Sequence, residues 1–231
     1  MAFLTRRSRP VPGGLAGGGE PRPGMPSSLR AAARASRGFL AEDEGLRLYA
    51  LAAEVSEVGP CLEVGGYCGK SALYLGGGCR AAGRHPLVSV DHHRGSEEQQ
   101  PGGEYFDADL WHPELQRVDS LPEFLRTVER AGLAEWVVPV VASSVTAARC
   151  WPERALALVF LDGGHGEEDA FRDYHCWAPK LRRGGYLCVH DLHPDPANGG
   201  QAPYRMFEYA LSTRAWDEVA GVGTLGILRR R

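Results

Sequence analysis

Four carboxylates close apolar runs along this chain: Glu63 after "CL", Asp91 in "HPLVSVD", Asp162 in "RALALVFLD" and Asp191 in "GGYLCVHD". Ser143 and Ser144 close a fifth run, "WVVPVVASS". A carboxylate in such a place can accept hydrogen bonds from hydroxyls, hold a cation, or orient a base, because it has acceptor sites and no donor. Histidines crowd the same positions: His92 and His93 follow Asp91, His165 lies three residues past Asp162, and His190 and His193 flank Asp191. Between Glu63 and the next helix stands "VGGYCGKS", which has the Gly-Lys-Ser step of a triphosphate loop. That loop also needs a glycine five positions before Gly69, where Val64 stands instead. The Gly-x-Gly-x-x-Gly dinucleotide fingerprint fails too, because Tyr67 stands two residues after Gly65. Glu63 would repel a pyrophosphate and attract a cation, so the loop suits a ligand that is positively charged nearby.

The elements that must position these groups follow from periodicity. Residues 41–57 repeat apolar positions at helical spacing, and Pro60 breaks the pattern before a short buried strand. A helix opens at Gly69 and is expected to run up to the triple glycine at 76–78. Strands ending at Asp91, Ser143, Asp162 and Asp191 then alternate with helices at "LPEFLRTVERAGL" and "EEDAFRDYHCWAPKL". A last helix, "YRMFEYALS", precedes two closing segments, "AWDEVAGV" and "GTLGILRR". Such alternation predicts an α/β fold: a doubly wound, mostly parallel seven-stranded sheet with helices on both faces. Ligands of open α/β sheets bind at the carboxyl ends of the strands, so the carboxylates and serines should converge on one crevice. Residues 94–120 are too long for an ordinary strand-to-helix connection and are expected to be a lid or substrate loop.

At 231 residues and a formal net charge of −3, the chain fits one domain over 31–231 and lacks the basic surface of a nucleic-acid binder. A small-molecule acceptor is the expected partner, with no nucleic acid and no membrane, and assembly as a homo-oligomer is left open. No apolar run approaches the roughly 20 residues of a membrane span. Six cysteines without a C-x-x-C pair suit a reducing, cytoplasmic setting. Residues 1–30, rich in Arg, Gly and Pro, read as a disordered tail, and "VPGGLAGGGE" is too glycine-rich for a secretory signal core.

S-adenosylmethionine, with its sulfonium and ammonium groups, meets the requirement for a cationic ligand. The stretch "LEVGGYCGKSALYL" resembles motif I of class I S-adenosylmethionine-dependent methyltransferases (Rossmann-like fold), and its Tyr-Cys-Gly-x-Ser core is similar to catechol O-methyltransferase and the bacterial small-molecule O-methyltransferases. "FLDGGH" and "GGYLCVHD" resemble that family's fourth and fifth strand ends. Glu63, by its charge, joins the cofactor-binding residues, and the resemblance implies that Gly65, Tyr67, Gly69 and Ser71 line the methionine end of the cofactor. It implies that Asp91 binds the ribose hydroxyls and that Ser143 and Ser144 face adenine; His92 is read as a cofactor or lid contact. The family's divalent cation, Mg or Mn, would sit on Asp162 and Asp191. Where its third ligand is an Asn, Leu192 stands here, so His190 or His193 is expected to substitute. In place of the family's catalytic lysine stands His165, expected to act as the base, while Asp162 serves chemistry or the cofactor's ammonium. Lys70 has no phosphate to bind and is expected to be a solvated surface charge. The alternatives are an inactive cofactor-binding domain, an RNA methyltransferase and, least favoured, an NAD-dependent oxidoreductase.

Overall fold

The strands starting at Cys61 and Leu156 are buried at every position, as apolar runs must be when helices cover both faces of a sheet. In the computed structural model, which describes residues 24–164 and 166–231, these are β1 (Cys61–Val64) and β6 (Leu156–Leu161). With β2 (Leu87–Asp91), β5 (Val137–Val141), β7 (Leu181–Val189), β8 (Trp216–Val222) and β9 (Leu225–Arg230) they form one seven-stranded sheet in the order β5-β2-β1-β6-β7-β9-β8. Five of its strands are parallel, and β9 runs antiparallel between β7 and β8. This is the doubly wound, mostly parallel sheet expected from the sequence. The short strands β3 (Trp111–His112) and β4 (Arg117–Val118) make a separate hairpin within 94–120.

Side chains alternate between two cores. Cys61, Leu158, Phe160 and Ile227 face α1 (Ser27–Ala35), α2 (Glu42–Val55), α3 (Lys70–Ala82) and α4 (Leu121–Arg130). Leu62, Val64, Val159 and Leu161 face α5 (Ser144–Arg149), α6 (Glu167–Trp177) and α7 (Ala202–Ser212). No described helix is long and apolar enough to cross a membrane. β1 is the switch point: Val64 pairs with Val90 on one side and Leu161 on the other, after which the chain winds outward both ways. Leu161 in turn pairs with Val189, and Asp91 with Val141, which aligns the carboxyl ends of five strands on one edge.

Two boundaries differ from the sequence reading. The helix α3 does not stop at the triple glycine but runs through it to Ala82. These glycines are packing surfaces: a Cβ at Gly78 would overlap the Tyr49 carbonyl, one at Gly77 would lie 2.6 Å from Leu29, and one at Gly76 2.5 Å from Val137. Close approach of α1, α2 and β5 to α3 therefore outweighs the weak helix propensity of glycine. At the other boundary, α1 starts at Ser27, inside the stretch assigned to the tail, because Leu29 and Ala33 bury against α3. Residues 1–23 lie outside the described residues.

One carboxylate is inside this core. Glu63 is fully buried, so it does not open on the crevice as the cationic-ligand reading required. Burial pushes its pKa up to about 7; Ser71 and Ser89 lie close enough to oppose the shift, yet neither carboxylate oxygen closes a hydrogen bond among the described residues. Unfolded, this carboxyl titrates near 4.5, so the folded state holds the proton more tightly and stability falls as pH rises from about 4.5 to about 7. Glu63→Gln should therefore melt higher than the parent at pH 8, by an amount on the order of 3 kcal/mol, with little difference at pH 4. Parallel melting curves of the two proteins at every pH would contradict the buried, unpaired carboxyl.

Candidate functional site

The loop from Gly65 to Gly69 is shaped by backbone that other residues adopt at a cost. Gly65 has φ +93°, and a Cβ there would overlap the Asp162 carbonyl, so the loop can cross the end of β6 only with glycine. Gly69, at φ +92°, donates its N–H to the Gly66 carbonyl (2.8 Å) and starts α3 without a side-chain cap. Among the described residues no side chain caps the first N–H groups of α3, and Ser71, 5% exposed, stands in that first turn. Tyr67 takes φ 42°, a strained value for a bulky residue, and its N–H donates to Asp91 Oδ2 (2.9 Å). Lys70 is not the solvated charge expected: its Nζ donates to the Gly38 carbonyl (3.0 Å), tying the segment before α2 to α3.

Asp91 is held by a second backbone donor, His93 N–H to Oδ1 (2.7 Å). Its side chain keeps 15% exposure, and each oxygen has a further acceptor site. Beside it a cleft of about 500 Å³ lies at the paired ends of β2 and β5, lined by His92, Arg94, Arg117, Ala142 and Ser143. His92 is exposed, with Nδ1 accepting from Arg94 N–H (3.0 Å). Ser143 caps α5, accepting from Thr146 N–H (3.3 Å). Ser144 departs from its expected place: its Oγ accepts from the indole N–H of buried Trp177 (2.8 Å), which engages it with α6. His93 also points inward, with Nδ1 2.9 Å from the Ser120 hydroxyl, and burial lowers its pKa. It thus fastens the end of β2 to the start of α4.

The 94–120 segment is built on this loop. Leu110 and Val118 bury Cys68, with Tyr67, Phe106 and Trp111 around them. Arg37 pairs with Asp107 and Asp109, and Phe39 packs its ring against Tyr67 (6.1 Å) and Tyr105 (5.1 Å).

At the ends of β6 and β7 an acid–histidine cluster assembles. His190 Nδ1 lies 3.0 Å from Asp162 Oδ1 and 3.4 Å from Asp191 Oδ1, while Nε2 lies 3.0 Å from Glu44 Oε2. Burial would lower the histidine's pKa, but the Asp162 charge and the hydrogen bonds to Asp162, Asp191 and Glu44 outweigh it and raise it. Burial likewise opposes ionisation of Glu44, and the hydrogen bonds from His190 and Thr224 win, holding it well below the usual carboxylate range. Asp191 takes φ 57°, the turn that aims it back at His190. One ligand atom each from Asp162, His190 and Asp191 lie within 4.8 Å of one another, a donor set of two oxygens and a nitrogen suited to a divalent cation. His193 is farther out, its Nε2 3.8 Å from Asp191. Leu192 packs into the core beside Gly226 and coordinates nothing. His165 lies outside the described residues. Glu44 escaped the sequence reading because an acid in the first turn of a helix looks like an ordinary cap.

Known proteins share this fold. The methyltransferase PaMTH1 of Podospora anserina, solved with S-adenosylhomocysteine, superposes with a TM-score of 0.63 at 15% identity over 90% of this chain and 89% of its own. The O-methyltransferase TomG of Streptomyces achromogenes, involved in tomaymycin synthesis and solved with S-adenosylmethionine, gives 0.57 at 17% identity over 89% and 91%. An O-methyltransferase of Bacillus cereus, solved with S-adenosylhomocysteine, gives 0.58 at 14% identity over 89% and 91%. At these identities the likeness establishes the Rossmann-like methyltransferase fold. Residues 62–192, more than half of the chain and the span that contains the loop, Asp91 and the acid–histidine cluster, match the family described as a methyltransferase domain, and the chain belongs to that family.

Proposed function

We propose that this chain transfers a methyl group from S-adenosylmethionine to a hydroxyl of a small molecule. The observation that carries the reading is a single sheet edge on which a glycine loop, a backbone-held Asp91 and the Asp162–His190–Asp191 cluster stand side by side. The O-methyltransferases similar to it hold this cofactor or its product, which supports the reading. In it the methionine carboxylate lies at the uncapped start of α3 beside Gly69 and Ser71, with Gly65 and Tyr67 forming the loop beneath. Asp91 accepts from the ribose hydroxyls, and adenine enters the cleft between His92 and Ser143. Asp162, next to Gly65, faces both the cofactor's ammonium and the acceptor. The segment 94–120 acts as a lid, anchored on Cys68 and by Arg37, that excludes water and aligns the acceptor with the sulfonium. The free state of all six thiols supports a cytoplasmic setting.

In the reaction the acceptor oxygen attacks the methyl carbon as the carbon–sulfur bond breaks; the bonding pair stays on sulfur, and the hydroxyl proton passes to a base. His165 is that base in our reading, since an imidazole with a pKa of about 6.5 suits proton removal near neutrality. Asp162 and Asp191 orient the acceptor hydroxyl for attack. A divalent cation held by Asp162, Asp191 and His190 Nδ1, in place of the proton that this nitrogen shares with Asp162, would lower the hydroxyl's pKa, and the nitrogen donor favours Mn over Mg.

Two experiments test this. S-adenosylmethionine and S-adenosylhomocysteine should raise the melting temperature, with about 2.7 kcal/mol of stabilisation at a hundredfold excess over Kd, whereas NAD and ATP should not. Asp91→Ala should remove most of that shift; unchanged binding would sink the ribose assignment. His165→Ala should slow turnover by about 10²–10⁴-fold while cofactor affinity stays within about twofold of the parent. Turnover at the parent's rate would assign deprotonation to another group.

A further inference from the structure

Glu44 is more than a cap on α2. A capping acid needs one partner, the Ala41 N–H, which donates to its Oε2 at 3.1 Å. Yet Glu44 is 3% exposed, and Oε1 accepts from both the backbone N–H (2.7 Å) and the hydroxyl (2.9 Å) of Thr224 in the turn between β8 and β9. That turn is moulded on the carboxylate: Gly223 has φ +57°, and a Cβ there would lie 2.5 Å from Oε1. A buried carboxylate is strongly unfavourable unless its oxygens are bonded, and a helix cap could be supplied at the surface without that cost. The remaining partner of Glu44 is His190 Nε2, at 3.0 Å.

This last contact fixes the orientation of the histidine. A carboxylate only accepts, so Nε2 must carry a hydrogen, and turning the ring over would take the histidine donor from Oε2 and leave that oxygen the Ala41 N–H alone inside the core. The nitrogen left to face Asp162 and Asp191 is therefore Nδ1. We propose that Glu44, braced by Gly223 and Thr224, is a positioning residue that presents His190 Nδ1 to the acceptor and cation side of the site. Resting on the function proposed above, this ties the first turn of α2 and the β8–β9 turn to the chemistry at the ends of β6 and β7, although neither lies within residues 62–192. The arrangement has the form of a metal-ligand histidine whose other nitrogen is held by a carboxylate, where loss of the carboxylate typically weakens metal binding or activity by about 10–100-fold.

Glu44→Gln tests it, because the amide keeps the volume but cannot accept on both sides. Three quantities are read: the ring-nitrogen NMR resonances of His190, Mn²⁺ affinity measured by electron paramagnetic resonance without acceptor, and the split of turnover from cofactor Kd. The expected result is a shifted Nε2 resonance, Mn²⁺ binding and kcat each weaker by about 10–100-fold, and S-adenosylhomocysteine Kd within about twofold, since Asp91 and α3 are untouched. Thr224→Val, which removes one brace, should move the same readouts in the same direction by a smaller factor, and decides the matter if Glu44→Gln does not fold. His190 resonances and Mn²⁺ affinity equal to the parent's in the folded variants would overturn the proposal. If the parent itself binds no Mn²⁺, the cation part of the proposed function fails, and the Nε2 resonance still judges Glu44 alone.

Discussion

The close approach of Gly65 to the Asp162 carbonyl fixes more of this molecule than any other contact. β1 and β6 pair up to Val64 and Leu161, and directly beyond that pair the two chains leave for opposite faces of the sheet. Only a residue without a Cβ, at φ +93°, lets the loop after β1 cross the end of β6. From that crossing follow the bond from Tyr67 N–H to Asp91, the uncapped start of α3 beside the crevice, and the place of the Asp162 carboxylate at its rim. A side chain at this glycine would push the two strand ends apart, and with them the glycine loop and the acid–histidine cluster.

Four carboxylates on one edge would repel each other, and the fold answers each differently. Asp91 is held by two backbone donors. Glu63 is withdrawn into the core, where burial raises its pKa. Asp162 and Asp191 share His190, whose other side is held by Glu44. The edge that remains is acceptor-rich around the loop; in the proposed function the attraction inferred for Glu63 falls to Asp162 and Asp191, which keep more exposure than Asp91.

Much of this was legible because strand ends are written plainly. Apolar runs bounded by Asp91, Asp162 and Asp191 marked the edge, and the rule for open α/β sheets made those positions a candidate site. The helix expected at 41–57 is found at Glu42–Val55. What could not be read depends on contacts between distant segments. The glycines at 76–78 look like a helix stop in sequence and are a packing face in three dimensions. Ser144 and Ser143 are indistinguishable as neighbours, yet one serves Trp177 and the other the cleft. Glu44 lies 146 positions from His190, a separation that no local pattern can bridge.

The measurement that bears most directly on this account is methyl transfer itself, followed with S-adenosylmethionine labelled in its methyl group and an extract of small metabolites as acceptor. The account predicts labelled methyl on the oxygen of a hydroxylated small molecule, with S-adenosylhomocysteine formed in equal amount. Label appearing on RNA, or no label on any small molecule from protein that binds S-adenosylhomocysteine, would contradict it.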